Sequence, residues 1–203
     1  MKKIFTTIII VSGLATAAFS QEKGTNEISA NIGYNASTVT AGSQTNSDYR
    51  QGFNAGISLD HYFSASWSIK GRLIYDQKGW DRGYIGFEDG SSTITDYKLD
   101  YLTVPVLANW HFGRTKNWYL QFGPYVGFLL SAKGSAGIGD LKPYMASTDI
   151  GFDLGIGVRF PVSDKTKLFI ELNGQGGGSD VFKNNSGSTV RNSVSSVNIG
   201  FAF

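Results

Sequence analysis

Hydrophobic and polar residues alternate along most of this chain. In its last stretch Val197, Ile199, Phe201 and Phe203 take one parity and Ser196, Asn198, Gly200 and Ala202 the other, the period of two that a strand imposes. The same period runs through residues 27–38, where Ile28, Ala30, Ile32, Tyr34 and Ala36 alternate with polar or small neighbours, and through 53–60, with Phe53, Ala55, Ile57 and Leu59 on the apolar side. Residues 67–78 set Trp67, Ile69, Leu73 and Tyr75 against Ser68, Lys70, Arg72, Ile74, Asp76 and Lys78. Alternation continues through 97–112, 118–130, 149–160 and 168–175. A chain that stops on an uncovered Phe203 suits a sheet whose apolar face meets lipid, because a closed barrel is the one sheet that leaves no unpaired backbone in a membrane.

The connections alternate in length. Short turns are expected at 61–66, 113–117 and 161–166, and long polar or glycine-rich loops at 41–50, 81–96, 132–147 and 176–191. The reading is an all-β fold, an eight-stranded antiparallel up-and-down transmembrane β-barrel, with termini and short turns on the periplasmic side and the long loops outside. Two irregularities stand out. Tyr97, Leu99 and Tyr101 share one parity while Leu102, Val104, Val106 and Trp110 share the other, which predicts a bulge near Tyr101 that swaps faces. Pro105 and Pro124, at nearly the same height of one hairpin, predict a shared local distortion. Aromatic residues sort by height into two girdles: Tyr62, Phe63, Trp67, Trp110, Phe112, Trp118, Phe160 and Phe203 at the turn end, and Tyr34, Tyr75, Trp80, Tyr97 and Tyr101 towards the loops.

The first residues lie outside this pattern. Lys2 and Lys3, the apolar stretch 4–18 and the small-x-small site Ala18-Phe19-Ser20 read as a cleaved signal peptide over 1–20, leaving 21–203 as the barrel domain. Its removal takes two of the 18 basic residues and none of the 16 acidic ones, so the mature chain has no formal net charge and nothing points to nucleic acid. There is no cysteine, hence no disulfide or thiolate chemistry.

The inward parity carries the candidate chemistry. Lys70, Arg72, Lys78 and Arg159 would share the interior with Glu27, Asp60, Asp76, Asp149, Asp153 and Glu171, and the hairpin sets Asp60 roughly opposite Lys70. Such a set is either an ion pathway or a plug of paired charges. The plug is expected, because desolvated charges need partners and side chains fill so narrow a barrel. The lumen network is therefore assigned to Lys70, Arg72, Asp60, Asp153, Arg159 and Glu171, with no open pore. Gly155-Ile156-Gly157 lacks the helix start and third glycine of a dinucleotide fingerprint and reads as lumen-side spacing. Glu88, Asp89 and Asp96 match no calcium loop. A lipid-modifying enzyme would need a histidine near the outer leaflet, whereas His61 and His111 both fall at the periplasmic end. No catalytic residue, cofactor or metal site is assigned. The expected partners are outer-membrane lipid, the barrel-insertion machinery acting on the terminal signal Ile199, Phe201 and Phe203, and an envelope protein reached through loop residues Tyr49, Tyr84, Phe87, Tyr144 and Phe182. The barrel is expected to be monomeric.

The stretch Tyr101-Leu102-Thr103-Val104-Pro105-Val106-Leu107, the later run from Tyr119 to Lys133, and Asp149-Ile150-Gly151-Phe152-Asp153-Leu154-Gly155-Ile156-Gly157 resemble the PorT-like outer-membrane β-barrel family. These motifs cover the middle third of the chain. The resemblance implies an eight-stranded outer-membrane barrel with a structural or accessory role, one member of that family being an accessory of the type IX secretion system. It transfers no catalytic residue.

Overall fold

The alternating segments become strands that pair into a closed ring. A computed structural model of the chain describes residues 23–41, 47–86, 90–135 and 137–203. The signal peptide expected at 1–20 and the loop residues Phe87, Glu88 and Asp89 lie outside the described residues. The strands are β1 (Asn26–Ala41), β2 (Asp48–Tyr62), β3 (Trp67–Gly86), β4 (Ser92–Phe112), β5 (Trp118–Gly134), a two-residue β6 (Gly139–Asp140), β7 (Thr148–Pro161), β8 (Lys167–Gly177) and β9 (Val190–Ala202). Each pairs antiparallel with its neighbour, β1 also pairs with β9 and β5 with β7, and β6 adds only a short ribbon on β5, so the wall is a ring of eight strands. Closure removes the sheet edges that lipid could not satisfy.

The faces separate by parity. Ile28, Ile32, Ile57, Leu154, Leu172 and Phe203 are exposed on the outer wall, while Lys70, Arg72, Asp76, Asp153, Arg159 and Glu171 are buried inside. An exposed apolar belt over a polar interior is the inverse of a soluble protein, and only hydrocarbon on the outside accounts for it.

Three expectations change, and the distortion at the prolines holds. The face swap near Tyr101 does not occur in β4, where Thr95, Tyr97, Leu99, Tyr101, Thr103, Asn109 and His111 all point inward without a break. The extra residue is on β5: Asp100 pairs with Ser131 and Tyr101 with Leu129, leaving Leu130 as the bulge. Hydrophobic parity shifts in β4 because the material filling the barrel changes with height, while the backbone phase holds. Trp80, Tyr97 and Tyr101 therefore leave the loop-side girdle for the interior, and Tyr62 leaves the turn-side girdle in the same way. Trp67, Trp110, Trp118, Phe160 and Phe203 do face outward.

The prolines distort the β4–β5 ladder without shifting it. Pairing stops after Pro105 and Tyr125 and resumes at Ala108 and Phe122 in the same register. Finally, the stretch 81–96 is mostly strand. With 20 and 21 residues, β3 and β4 are about twice the 9–11 residues a tilted strand needs to cross the hydrocarbon, so the surplus stands above the membrane as a hairpin. A bulge at Asp81 and Arg82, with Arg82 at φ 58°, sets the hairpin off from the wall below.

Candidate functional site

The interior is built in layers, starting at the short-turn mouth. Arg159 on β7 lies 2.7 Å from Glu27 and 3.3 Å from Asp60, and also donates to the Tyr62 hydroxyl. Asp60 is 3.3 Å from Lys70 and accepts from Ser68 (2.8 Å) and Asn109 (3.3 Å). Lys167 closes the rim on Glu27 at 2.5 Å.

In the next layer Arg72 meets Glu171 at 2.8 Å, and Glu171 also accepts from the Tyr119 hydroxyl at 2.9 Å. Lys70 donates to Gln121 and rests over the Tyr119 ring, 4.9 Å from its centroid. Above these, a chain of amides runs from Asn31 through Asn54 to Asn35 and Asp76. Lys78 then bridges Asp149 (3.1 Å) and Asp76 (3.6 Å) beneath the rings of Tyr125 and Tyr101.

Of the six residues assigned to the network, Lys70, Asp60 and Arg159 thus form one cluster, and Arg72 and Glu171 the next. Asp153, fully buried, stands apart: it accepts from Asn173 at 3.1 Å and makes no ion pair among the described residues. The sequence reading missed the tyrosines. Tyr62, Tyr119, Tyr125 and Tyr101 wall the cations on every level, and the available signal was their shared inward parity with Gln121 and Thr103. Their rings need space across the barrel, and the inner-face glycines supply it: a Cβ on Gly157 would overlap the Tyr119 ring, and one on Gly151 would crowd Tyr125.

Above Lys78 the interior changes character. Trp80 stacks on Tyr97 with centroids 4.1 Å apart, and Phe182 meets both edge-on at 6.0 and 6.1 Å. Val39, Leu99, Leu129 and Ala132 continue this apolar layer, and Leu141, Met145 and Val181 enter it from the third and fourth loops. Backbone bonds stitch those two loops together across the mouth, Ala146 to Val181 at 2.8 Å and Lys183 to Tyr144 at 3.0 Å. The polar lumen expected throughout is thus charged only in its lower part, and an apolar cap packs the part above. Phe182, expected on an exposed loop, is half-buried in the cap, while Tyr49, Tyr84 and Tyr144 are exposed.

The histidines do not meet. His61 is exposed at the rim, 2.8 Å from Asn26, whereas His111 is buried inside against Tyr62 and 3.2 Å from Ser68. Among the described residues no group of three or more His, Cys, Asp or Glu is placed to hold a metal ion.

A closed ring with a lipid-facing apolar belt and a packed interior has counterparts among known proteins. The profile of the family described as outer membrane protein beta-barrel domain matches residues 19–201. The chain belongs to this family. It is accordingly a protein of the cell outer membrane, and the short turns of such barrels lie on the periplasmic side and the long loops outside.

Among solved structures it is similar to Neisserial surface protein A (16% identity, TM-score 0.51, covering 86% of this chain and 95% of that one). It is also similar to the outer membrane protein OprG of Pseudomonas aeruginosa (9% identity, TM-score 0.50, covering 91% and 97%). The attachment invasion locus protein Ail of Yersinia pestis aligns over 90% of this chain and 100% of that one at 19% identity, with a TM-score of 0.46. At these identities the likeness speaks to fold alone. No curated protein sequence matches the chain.

Proposed function

We propose that this barrel is non-conducting and serves a structural or accessory role in the outer membrane, presenting its extracellular mouth to an envelope or surface partner. The observation that supports the reading is the filling of the lumen, paired charges below and an aromatic cap above, which would leave the outside of the molecule to do the work.

The mouth is suited to docking. Tyr49, Tyr84 and Tyr144 are 65%, 70% and 68% exposed, and a cleft of about 570 Å3 opens between the β3–β4 hairpin and the third loop, walled by Tyr84, Ile85, Leu141, Tyr144 and Phe182. Exposed aromatic residues around such a cleft are typical of binding surfaces. The resemblance of the middle third to PorT-like barrels supports the accessory role. The exposed terminal row Ile199, Phe201 and Phe203 fits a signal read by the insertion machinery on the way to a monomeric barrel.

The test is cross-linking in intact cells followed by recovery of the barrel, comparing wild type with a Tyr84→Ser/Tyr144→Ser variant. The proposal expects a cross-linked species that the variant loses while its folded level is unchanged. Identical cross-linked species from both proteins would reject the mouth as the docking surface.

A further inference from the structure

Cations stand at both mouths of the barrel: at the loop mouth Arg50 lies 3.8 Å from Asp81 and Arg82 lies 3.8 Å from Asp48, while Lys98, Lys133 and Lys183 make no ion pair among the described residues. At the turn mouth Arg114, Lys116 and Lys165 make no ion pair among the described residues, and Asp164 is the one acidic residue on the three turns 63–66, 113–117 and 162–166. Arg114, Lys116 and Lys165 share one arc, with Lys23 across the mouth beside the end of β2. The turn after β4 and the turn after β7 are neighbours, joined by a bond from the Arg159 amide to the Asn117 carbonyl at 2.9 Å, whereas the turn after β2 carries no charge. Directly above the arc, Trp118 and Phe160 face lipid at 48% and 44% exposure.

A second feature lies higher on the wall, on β8, β9 and β1. Outward residues of neighbouring strands form rungs, and here they are small: Ala36 on β1 is level with Ser195 on β9, which is level with Gly174 on β8, and the rung above it sets Gly176 level with Ser193. The rung below Ala36 is large, with Tyr34, Val197, Leu172 and Ile156 in line. The step between them is a hollow of about 730 Å3 in the lipid-facing wall.

Lys167, which opens β8 beside Lys165, is seven residues from Gly174, about 23 Å along a strand at about 3.3 Å per residue. For a strand tilted about 45° that is about 16 Å of depth, half of a hydrocarbon core about 30 Å thick, and as much sideways, so a chain that reaches Gly174 from the turn follows the slant of β8 along the wall.

We propose that this side of the barrel holds one phospholipid of the periplasmic leaflet, its anionic headgroup on Arg114, Lys116 and Lys165 and an acyl chain seated against Gly174 and Ser195. Unpaired cations beside interfacial Trp and Phe recognise the phosphate and its net charge. The notch in the wall gives the chain a seat.

The test uses the purified full barrel, folded in micelles doped with equal amounts of phosphatidylglycerol and phosphatidylcholine carrying the same palmitoyl and oleoyl chains, with retained lipid counted by native mass spectrometry. Each headgroup-level cation favours an anionic lipid about fivefold, so three of them, after screening, should give at least about a tenfold preference for phosphatidylglycerol. Arg114→Gln/Lys116→Gln/Lys165→Gln should bring the two lipids to parity, and Gly174→Leu/Ser195→Leu should lower retention of both. Heat-modifiable migration on gels checks that each variant is folded. Equal retention by the wild type, or a preference that survives the triple substitution, would overturn the headgroup site. Unchanged retention after Gly174→Leu/Ser195→Leu would overturn the seat for the chain.

Discussion

The lower and upper halves of the barrel interior solve one packing problem with opposite chemistry. Below, Arg72, Lys70, Arg159 and their carboxylates fill the space with charges that hold one another. Above, Trp80, Tyr97, Leu99 and Met145 fill it as a hydrophobic core would. In the charged half each group depends on its partner, so the cost of losing one is a stranded charge. In the apolar half the cost is a cavity. Both halves fill the lumen with side chains, and on that packing rests the proposal that an interior rich in ionisable residues does not amount to a pore.

Substitutions separate the two halves, read as unfolding free energies in urea with the protein in lipid vesicles. Glu171→Ala should have the largest effect, about 3–5 kcal/mol, because it strands Arg72 among buried groups. Replacing both partners, as Arg72→Met/Glu171→Leu, should return most of that loss. A double variant as damaged as the single one would mean that the pair is not a self-contained unit.

Met145→Ala should cost about 2–3 kcal/mol, low for a buried methionine because the cap rests on loops that can settle into the space. Gly157→Ala should cost about 1–2 kcal/mol, since its methyl would displace the Tyr119 ring and with it the hydrogen bond to Glu171.

At the bottom of the scale lies Arg82→Ala, within about 0.5 kcal/mol, because its contact with Asp48 is exposed. Salt sharpens the contrast further: raising it should erase the small Arg82 effect and leave the Glu171 effect intact, because buried pairs are little screened.

Much of the charged half was legible in the sequence. A period of two puts Lys70, Arg72, Asp60, Arg159 and Glu171 on one face of their strands, and a narrow barrel forces facing residues to meet. The apolar half was not. A tyrosine or tryptophan near the loop end of a strand reads equally well as girdle or core, and only strict parity with Lys78 and Thr103 tells Trp80, Tyr97 and Tyr101 apart from true wall residues. The parity break near Tyr101 read as a face swap, but the backbone phase of β4 holds and the break marks the change from polar to apolar filling, while the extra residue lies on β5. Leu141, Met145 and Val181 sit in stretches with no period at all, and the cap they complete exists through tertiary contact between loops far apart in sequence. Asp153 carries the same inward signal as its neighbours, yet its cross-strand partners are Gly123 and Gln175, and Arg72 across the lumen is taken by Glu171.

The central claim is that the interior is closed at both levels, and single-channel recording tests it most directly. Purified, folded barrel is inserted into a planar bilayer at several salt concentrations and voltages of both signs. The account predicts a baseline current with no sustained openings, for the wild type and for the mouth variant Tyr84→Ser/Tyr144→Ser alike. Steady ohmic conductance that scales with the number of inserted barrels would contradict it.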